Sequence, residues 1–195
     1  MGRARKGTLW VTGDAAADDL VNREPLALVL ALLLDQQIAI ELAFKGPARL
    51  AERLGGSLDA EAIAAYDPDD FAEIVRTKPA LHRFPKSMAG RIQALCAHLV
   101  EHYDGDAAGL WRGVRRASVL VERLEAVPGF GPEKVQITVA VLAKRFGRQP
   151  AGWEDVAGRF ADEELRSVAD LDSAEAVAAL RARRAARKKQ KLTAK

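Results

Sequence analysis

The chain has little cysteine and few aromatic residues, and the shortage of cysteine excludes several kinds of structure. Its 195 residues include a single cysteine, Cys96, and Phe, Trp and Tyr together make up 6%. One thiol excludes an intramolecular disulfide, a zinc site built from several cysteines and a four-cysteine iron–sulfur cluster. We therefore expect the fold to depend on a packed core, which a chain of this length can bury without cross-links.

Long apolar runs are missing as well. The most apolar stretch, residues 26–34, ends at Asp35, whereas a membrane-spanning helix needs ~20 apolar residues. The basic first residues precede a mixed sequence instead of the apolar segment of a secretory signal. These absences predict a cytoplasmic protein without a membrane partner, and we interpret residues 26–34 as a buried helix.

Acidic residues are missing from the last part of the chain, and charge is unevenly distributed. The net charge is only +3. However, residues 76–148 hold 13 basic and 6 acidic residues, and residues 181–195 hold 8 basic and no acidic residues. Two basic zones predict an anionic partner. We expect residues 181–195 to form a basic, flexible tail that contacts a polyanion without sequence preference.

Helix-forming residues dominate and strand-like alternation is scarce, which predicts an all-α protein of about ten short helices. Asn22 is predicted to cap an apolar helix that continues to about residue 44, where Gly46-Pro47 breaks it. Asp59 and Asp67 are predicted to be N-caps of two further helices, because aspartate is favoured at that position.

The second half of the chain carries equally clear helix boundaries. Ser87 is predicted to cap a helix that ends at Asp104-Gly105. Pro132 stands where the first residue of another helix would lie, and that helix extends to about residue 146. A last helix is expected to begin near Ser173 and to run into the basic tail.

One segment carries a specific pattern, because two glycines flank an apolar residue just before a helix start. Val127, Pro128, Gly129, Phe130 and Gly131 connect two predicted helices. Glycine allows close approach of another backbone, and a helix start with free amides binds anions. Phe130 is expected to fill the gap between the helices. The alternative is a tight turn whose glycines serve geometry alone.

This segment resembles the helix-hairpin-helix motif, and the chain over about residues 22–165 is similar to the DNA glycosylases that carry it. Those proteins include endonuclease III and the 3-methyladenine DNA glycosylases. The resemblance is carried by LALVLALLLDQQIAI, by VPGFGPEK and by the loop GRQPAGWEDV. It implies a helical HhH-GPD fold of two subdomains with a cleft between them, here without an iron–sulfur cluster.

The resemblance also implies where the two subdomains lie in the sequence. We expect a central helical bundle over 26–140 that ends in the helix-hairpin-helix at about 118–146. Residues 1–25 and 141–180 are expected to join in the second subdomain.

The resemblance implies a role for several residues. Val127, Gly129, Phe130 and Gly131 would bind a DNA phosphate with Lys134, which lies one turn into the helix.

The resemblance implies two further roles, at the duplex wedge and at the catalytic carboxylate. Gln37, with Gln36 as the neighbouring candidate, would fill the gap left by a flipped base. Asp155 would be the catalytic carboxylate that stabilises positive charge on the sugar or activates water. Its alternative role is an acid favoured at a helix start by the dipole.

Three further residues are candidates for the base pocket. Asp35 and Glu133 could contact a base edge, or they could serve as helix caps or arginine partners. Trp153, two residues before Asp155, could stack on a base, although most aromatic residues must lie in the core. Glu133 also stands where bifunctional relatives have their nucleophilic lysine, and Lys134 is one residue late, which implies a monofunctional enzyme.

The function predicted from these resemblances is base excision repair, in which a monomer flips a damaged base out of double-stranded DNA and hydrolyses its glycosidic bond. Two alternatives are a non-catalytic DNA-binding or damage-sensing protein of the same fold and a helical adaptor without a nucleic-acid role. We predict no metal ligand set, because His98 and His102 have no evident third partner. We predict no cofactor apart from a structural monovalent cation that the hairpin carbonyls could hold.

Overall fold

The computed structural model describes residues 8–193, and the side chains of all of these except 184 and 187–193. Within that range the chain forms ten α-helices and three short 3-10 helices without a β-strand, which confirms the all-α prediction. The 3-10 helices span Ala107–Leu110, Gly158–Phe160 and Val168–Asp170. The α-helices are α1 (Ala15–Arg23), α2 (Pro25–Leu34), α3 (Ile40–Arg53), α4 (Ala60–Ala65), α5 (Pro68–Arg76), α6 (Pro85–Tyr103), α7 (Ala117–Glu125), α8 (Pro132–Phe146), α9 (Trp153–Ala157) and α10 (Ala174–Thr193).

The apolar run forms the centre of the core as helix α2. All residues from Leu26 to Leu34 are buried, as expected for a helix that is apolar on every side. Helices α1, α3 and α6 pack around it. Cys96 on α6 is buried too, and this burial raises the pKa of its thiol to about 12. The thiol therefore behaves as a small apolar side chain.

The prediction of one helix from Asn22 to residue 44 is wrong. Asn22 lies inside α1, where its side-chain amide donates to the Leu9 carbonyl (2.9 Å) and its oxygen accepts the Leu9 amide (2.8 Å). The chain leaves helical geometry after Leu34 and begins α3 at Ile40.

The predicted break at Gly46-Pro47 is also wrong, because both residues lie within α3. A Cβ on Gly46 would stand 2.4 Å from Leu34 Cδ1. The glycine therefore allows α3 to approach α2 closely, and the pair serves packing instead of ending the helix.

Most other predicted boundaries are confirmed. Asp59 and Asp67 are N-caps whose carboxylates accept amides of the first turn. Helix α6 ends at Asp104 in left-handed geometry, as predicted, but it begins at Pro85, ahead of the predicted cap at Ser87. Pro132 opens α8.

The start of the described chain contacts the segment just before α10. The Trp10 amide donates to the Leu171 carbonyl (3.1 Å), and the neighbouring Leu9 and Val11 are buried. Helix α10 begins shortly after this contact and continues without interruption past residue 181 to Thr193. On the other side of the molecule, α4 and α5 pack against α6.

None of the helices within residues 8–193 combines the length and the hydropathy that crossing a bilayer requires.

Candidate nucleic-acid interface

The turn between α7 and α8 is closed by its own backbone and side chains. The Val127 amide donates to the Leu124 carbonyl (3.2 Å), and the Phe130 amide donates to the Val127 carbonyl (3.1 Å). The side chains of Val127 and Phe130 are buried, so Phe130 fills the space between the helices as the sequence predicts. The turn therefore has a fixed shape that presents its remaining backbone outward.

The two glycines of the turn are required for different reasons. Gly129 has φ +88°, and a Cβ there would stand 2.6 Å from Leu33 Cδ1, so both backbone conformation and internal packing require glycine. Gly131 has an ordinary φ of −84°, and nothing lies within 4 Å of a Cβ built on it. The protein itself gives no steric reason for glycine at position 131, and its outer side is open to an approaching molecule.

Several backbone amides at the start of α8 lack a protein acceptor. Among residues 8–193, no carbonyl or side chain accepts the amides of Gly129, Gly131, Glu133 or Lys134. Pro132 has no amide proton, and Gly131, as N-cap, has no side chain that could accept one. Free amides at a helix start carry partial positive charge and suit an anionic oxygen.

Lys134 points inward and joins α8 to the end of α2. Its ammonium donates to the Leu32 carbonyl and lies 3.5 and 3.4 Å from the carbonyl oxygens of Leu33 and Asp35. Burial lowers the pKa of this amine to about 8, against a smaller raising effect of the Asp35 carboxylate. Because the ammonium of Lys134 contacts the carbonyl oxygens at the end of α2, this conformation favours a structural role over the predicted phosphate contact.

The two candidate wedge glutamines differ in their surroundings. Gln36 is bound on three sides: its side-chain Nε2 donates to the Leu33 carbonyl (2.8 Å), its side-chain oxygen accepts from Arg91 (2.8 Å), and its backbone carbonyl accepts from His82 Nε2 (2.7 Å). Gln37 is exposed and has φ +56°, a left-handed conformation that is uncommon for glutamine. The turn therefore holds Gln36 and displays Gln37.

A cavity lies where the end of α2, the start of α8 and the segment after α9 meet. It has a volume of about 310 Å³, and a second hollow of about 350 Å³ beside the hairpin shares Asp35, Glu133 and Ile137 with it. Asp35 and Glu133 therefore lie at one site, and their role there stays a prediction. The remaining lining residues of the first cavity are Arg159, Phe160, Leu165, Arg166, Ser167, Val168, Leu180 and Arg183.

Charged groups surround the apolar wall of this cavity in pairs. Glu133 forms an ion pair with Arg159 across the side of the cavity. Arg166 pairs with Asp162 and Glu164 at 2.8 and 2.9 Å, and these partners hold the segment after α9 in place. The arginine hydrogen bond lowers the pKa of the Asp162 carboxyl.

Asp155 and Trp153 lie on α9, outside this set of lining residues. Asp155 is exposed in the first turn of that five-residue helix, and Trp153 is half-buried against the core. The helix packs against α7 and α8 and leads directly into Arg159 and Phe160 at the cavity. The structure thus places Asp155 four residues before the cavity wall but does not place its carboxylate among the lining residues.

The two neighbouring histidines on α6 and the hairpin carbonyls are the candidate ion ligands that the sequence offers. The ring centroids of His98 and His102 lie 4.5 Å apart with the ring planes tilted by 59°, and no group of three His, Cys, Asp or Glu side chains within the described part of the chain is arranged to hold a metal ion. The hairpin carbonyls of Leu124 and Val127 already accept turn amides. A monovalent cation would therefore have to use their second lone pairs, and its presence stays a prediction.

Comparison with known families identifies the chain. A family model described as HhH-GPD superfamily base excision DNA repair protein matches residues 30–195. The chain belongs to this superfamily. Its members are DNA glycosylases that act in base excision repair and bind DNA, so the family disfavours the adaptor hypothesis. Comparisons with curated proteins and with solved structures give no match.

The HhH-GPD family agrees with the hairpin predicted from the sequence. The residues of the cavity wall, in contrast, were not predicted from the sequence. Arg159, Phe160 and Leu180 come from segments far from the hairpin in sequence, and no motif marks them. The one signal available was the run of acids and arginines after Trp153, which pair locally and with Glu133.

Proposed function

We propose that this protein is a monofunctional DNA glycosylase that acts as a monomer, in the cytoplasm, on double-stranded DNA containing a damaged base. The observation that carries the proposal is a hairpin with unpaired amides beside a carboxylate-lined cavity, in a chain of the base excision repair superfamily. Anion binding next to a pocket is what holding a duplex backbone and receiving one of its bases requires.

The hairpin would bind one phosphate of the strand. The free amides of Gly129, Gly131 and Glu133 offer donors, and the open space at Gly131 lets a phosphate approach the backbone. Contacts of this kind carry no sequence information, which suits an enzyme that must bind at any position along DNA.

Gln37 would be the side chain that enters the duplex. It is exposed at the top of the turn between α2 and α3, whereas Gln36 is held by three hydrogen bonds. The turn lies at the edge of the cavity, because Asp35 and Gln36 both line the hollow beside the hairpin. A base displaced by Gln37 would thus leave the stack next to a pocket.

Asp155 would be the catalytic carboxylate. Cleavage of the bond between base and sugar leaves positive charge on the sugar, and a nearby carboxylate stabilises that charge or takes a proton from the attacking water. Because Asp155 is exposed and lies outside the cavity lining, Asp35 and Glu133 are the competing carboxylates for this role.

We expect that no amine of the protein cleaves the DNA strand. The position two residues after Gly131 holds Glu133, which cannot form a Schiff base. The next residue, Lys134, directs its ammonium at the carbonyls that end α2. Water is therefore the proposed nucleophile.

Three carboxylate variants test the catalytic assignment. Base release from single-lesion duplexes is measured under single-turnover conditions for D155N, D35N and E133Q, with plain-duplex binding measured in parallel. We expect D155N to slow base release at least ~100-fold while it retains duplex binding. If D155N releases base normally and D35N or E133Q does not, the catalytic carboxylate lies in the cavity and the assignment to Asp155 is wrong.

A non-catalytic DNA-binding protein of the same fold is the second candidate. The exposure of Asp155 favours it, because a catalytic carboxylate is usually shielded from water. In that case the wild-type protein binds duplex DNA with the salt dependence of phosphate contacts but releases no base from any lesion.

A further inference from the structure

The C-terminal helix α10 passes the cavity and then continues to Thr193. Its first half packs through Ala176, Val177 and Leu180, and Leu180 is buried. Leu180 and Arg183 line the cavity that also contains Glu133. The helix then continues for the ten residues 184–193, which corresponds to roughly 15 Å.

Two ion pairs fix the direction of α10 at the point where it leaves the body. Arg181 Nε lies 3.0 Å from a carboxylate oxygen of Glu41 in the first turn of α3. Arg183 donates to the Leu165 carbonyl (2.8 Å) and lies 3.1 Å from Glu164. Contacts on two sides of the helix hold it against both α3 and the segment after α9.

Basic residues follow the packing face of α10 along the extension. The positions at i+3 and i+4 from Leu180 are Arg183 and Arg184, and the same spacing repeated reaches residues 187, 188 and 191, all of them basic. The other positions of the extension carry alanine at 185 and 186, followed by Lys189, Gln190, Leu192 and Thr193. The backbone register therefore puts positions 184, 187, 188 and 191 on the same face of α10 as Leu180, which lines the cavity.

Such a stripe needs an anionic partner. Residues 184–193 contain five basic residues and no acidic residue. Like charges three or four residues apart destabilise a helix, and a row of phosphates removes that repulsion and releases counterions. The charge, the straight geometry and the position beside the hairpin fit a duplex backbone better than a compact anion.

We propose that α10 is a rigid DNA-binding arm that holds the duplex on one side of the flipped base. The inference rests on the proposed function in taking DNA as the substrate. The arm spans about 15 Å, which corresponds to roughly four base pairs at 3.4 Å each. It thus adds phosphate contacts to those of the hairpin.

The test is the salt dependence of binding of the full chain to a plain duplex of about 30 base pairs, measured by fluorescence anisotropy between about 50 and 200 mM salt. One variant replaces the five cations by glutamine (R184Q, R187Q, K188Q, K189Q and K191Q). A second, A185P/A186P, keeps every charge but breaks the helix. A third, A185Q/A186Q, is the matched control with an intact helix at the same two exposed positions.

We expect the glutamine variant to bind about tenfold more weakly at the higher salt concentration. The slope of log K against log salt concentration should become shallower by ~0.9 for each phosphate contact removed. The proline variant should lose a similar amount, and the control should bind like the wild type. If the glutamine variant keeps the wild-type slope of log K against log salt concentration, the proposal that α10 contacts phosphates is wrong. Wild-type binding by the proline variant overturns its rigid geometry and favours a flexible tail. Absence of base release by the wild type would contradict the proposed function alone, because this assay needs no lesion.

Discussion

At the scale of single residues, the hairpin separates a glycine needed for folding from one that the fold does not need. Gly129 adopts φ +88° against the buried Leu33 side chain, whereas Gly131 has an ordinary φ and open space around it. The difference could not be predicted from the sequence, in which both glycines occupy equivalent places around Phe130. It depends on α2, which is distant along the chain.

Alanine substitutions at these two glycines should therefore affect different properties, stability in one case and duplex binding in the other. G129A should lower the free energy of unfolding by about 1–2 kcal/mol or more, because a left-handed conformation and a close contact both oppose a Cβ. G131A should unfold like the wild type but bind plain duplex more weakly. Urea denaturation and duplex binding measure the two effects, and equal destabilisation by both variants would contradict the distinction.

Lys134 gives a second prediction at this scale, through the pH dependence of stability. Its pKa is about 8 in the folded protein and 10.5 without burial. Between these values the unfolded chain binds a proton that the folded protein does not, so the free energy of unfolding rises with pH. Relative to the variant K134M, the wild type should gain stability from about pH 8 to about pH 10.5. Parallel curves for the two proteins would show that the ammonium is not buried.

At the scale of elements, the turn between α2 and α3 is the part that could not be predicted from the sequence, and it carries the proposed wedge residue Gln37. Hydrogen bonds from Arg91 and His82 hold Gln36 from outside the turn. Helix propensity favours a helix that continues through Gln36 and Gln37 to the aliphatic residues 38–40, but these tertiary contacts and the left-handed Gln37 end it. Local signals such as the Asp67 cap and Pro132 were sufficient elsewhere, because they act within their own helix.

The different surroundings of Gln36 and Gln37 predict that alanine substitutions at the two positions have different effects. Q36A removes hydrogen bonds to the Leu33 carbonyl and to Arg91, and it should lower the free energy of unfolding by about 1 kcal/mol. Q37A should leave stability unchanged, because the side chain is exposed and makes no hydrogen bond among residues 8–193. In single-turnover base release, Q37A should be slower than the wild type at equal duplex binding. Normal rates for Q37A together with slow rates for a stable Q36A would reverse the assignment.

At the scale of the whole molecule, the structure explains how a chain of net charge +3 can carry a DNA-binding surface. The hairpin lies in the basic zone over 76–148, and α10 brings the second basic zone past the same cavity. The sequence was sufficient to predict the helical class and the hairpin, whose signals are contiguous. It was not sufficient for the cavity, whose wall combines Asp35, Glu133 and residues after α9 through long-range packing and ion pairs.

The most direct test of the account is base release by the full chain from a panel of duplexes that each contain one uracil, deaminated adenine or alkylated purine. Strand breaks are measured with and without alkali, because alkali cleaves an abasic site that a monofunctional enzyme leaves intact. The account predicts that at least one lesion gives breaks only after alkali treatment. Breaks without alkali would contradict the monofunctional assignment, and the absence of base release from every duplex would contradict the proposed glycosylase activity on these lesions.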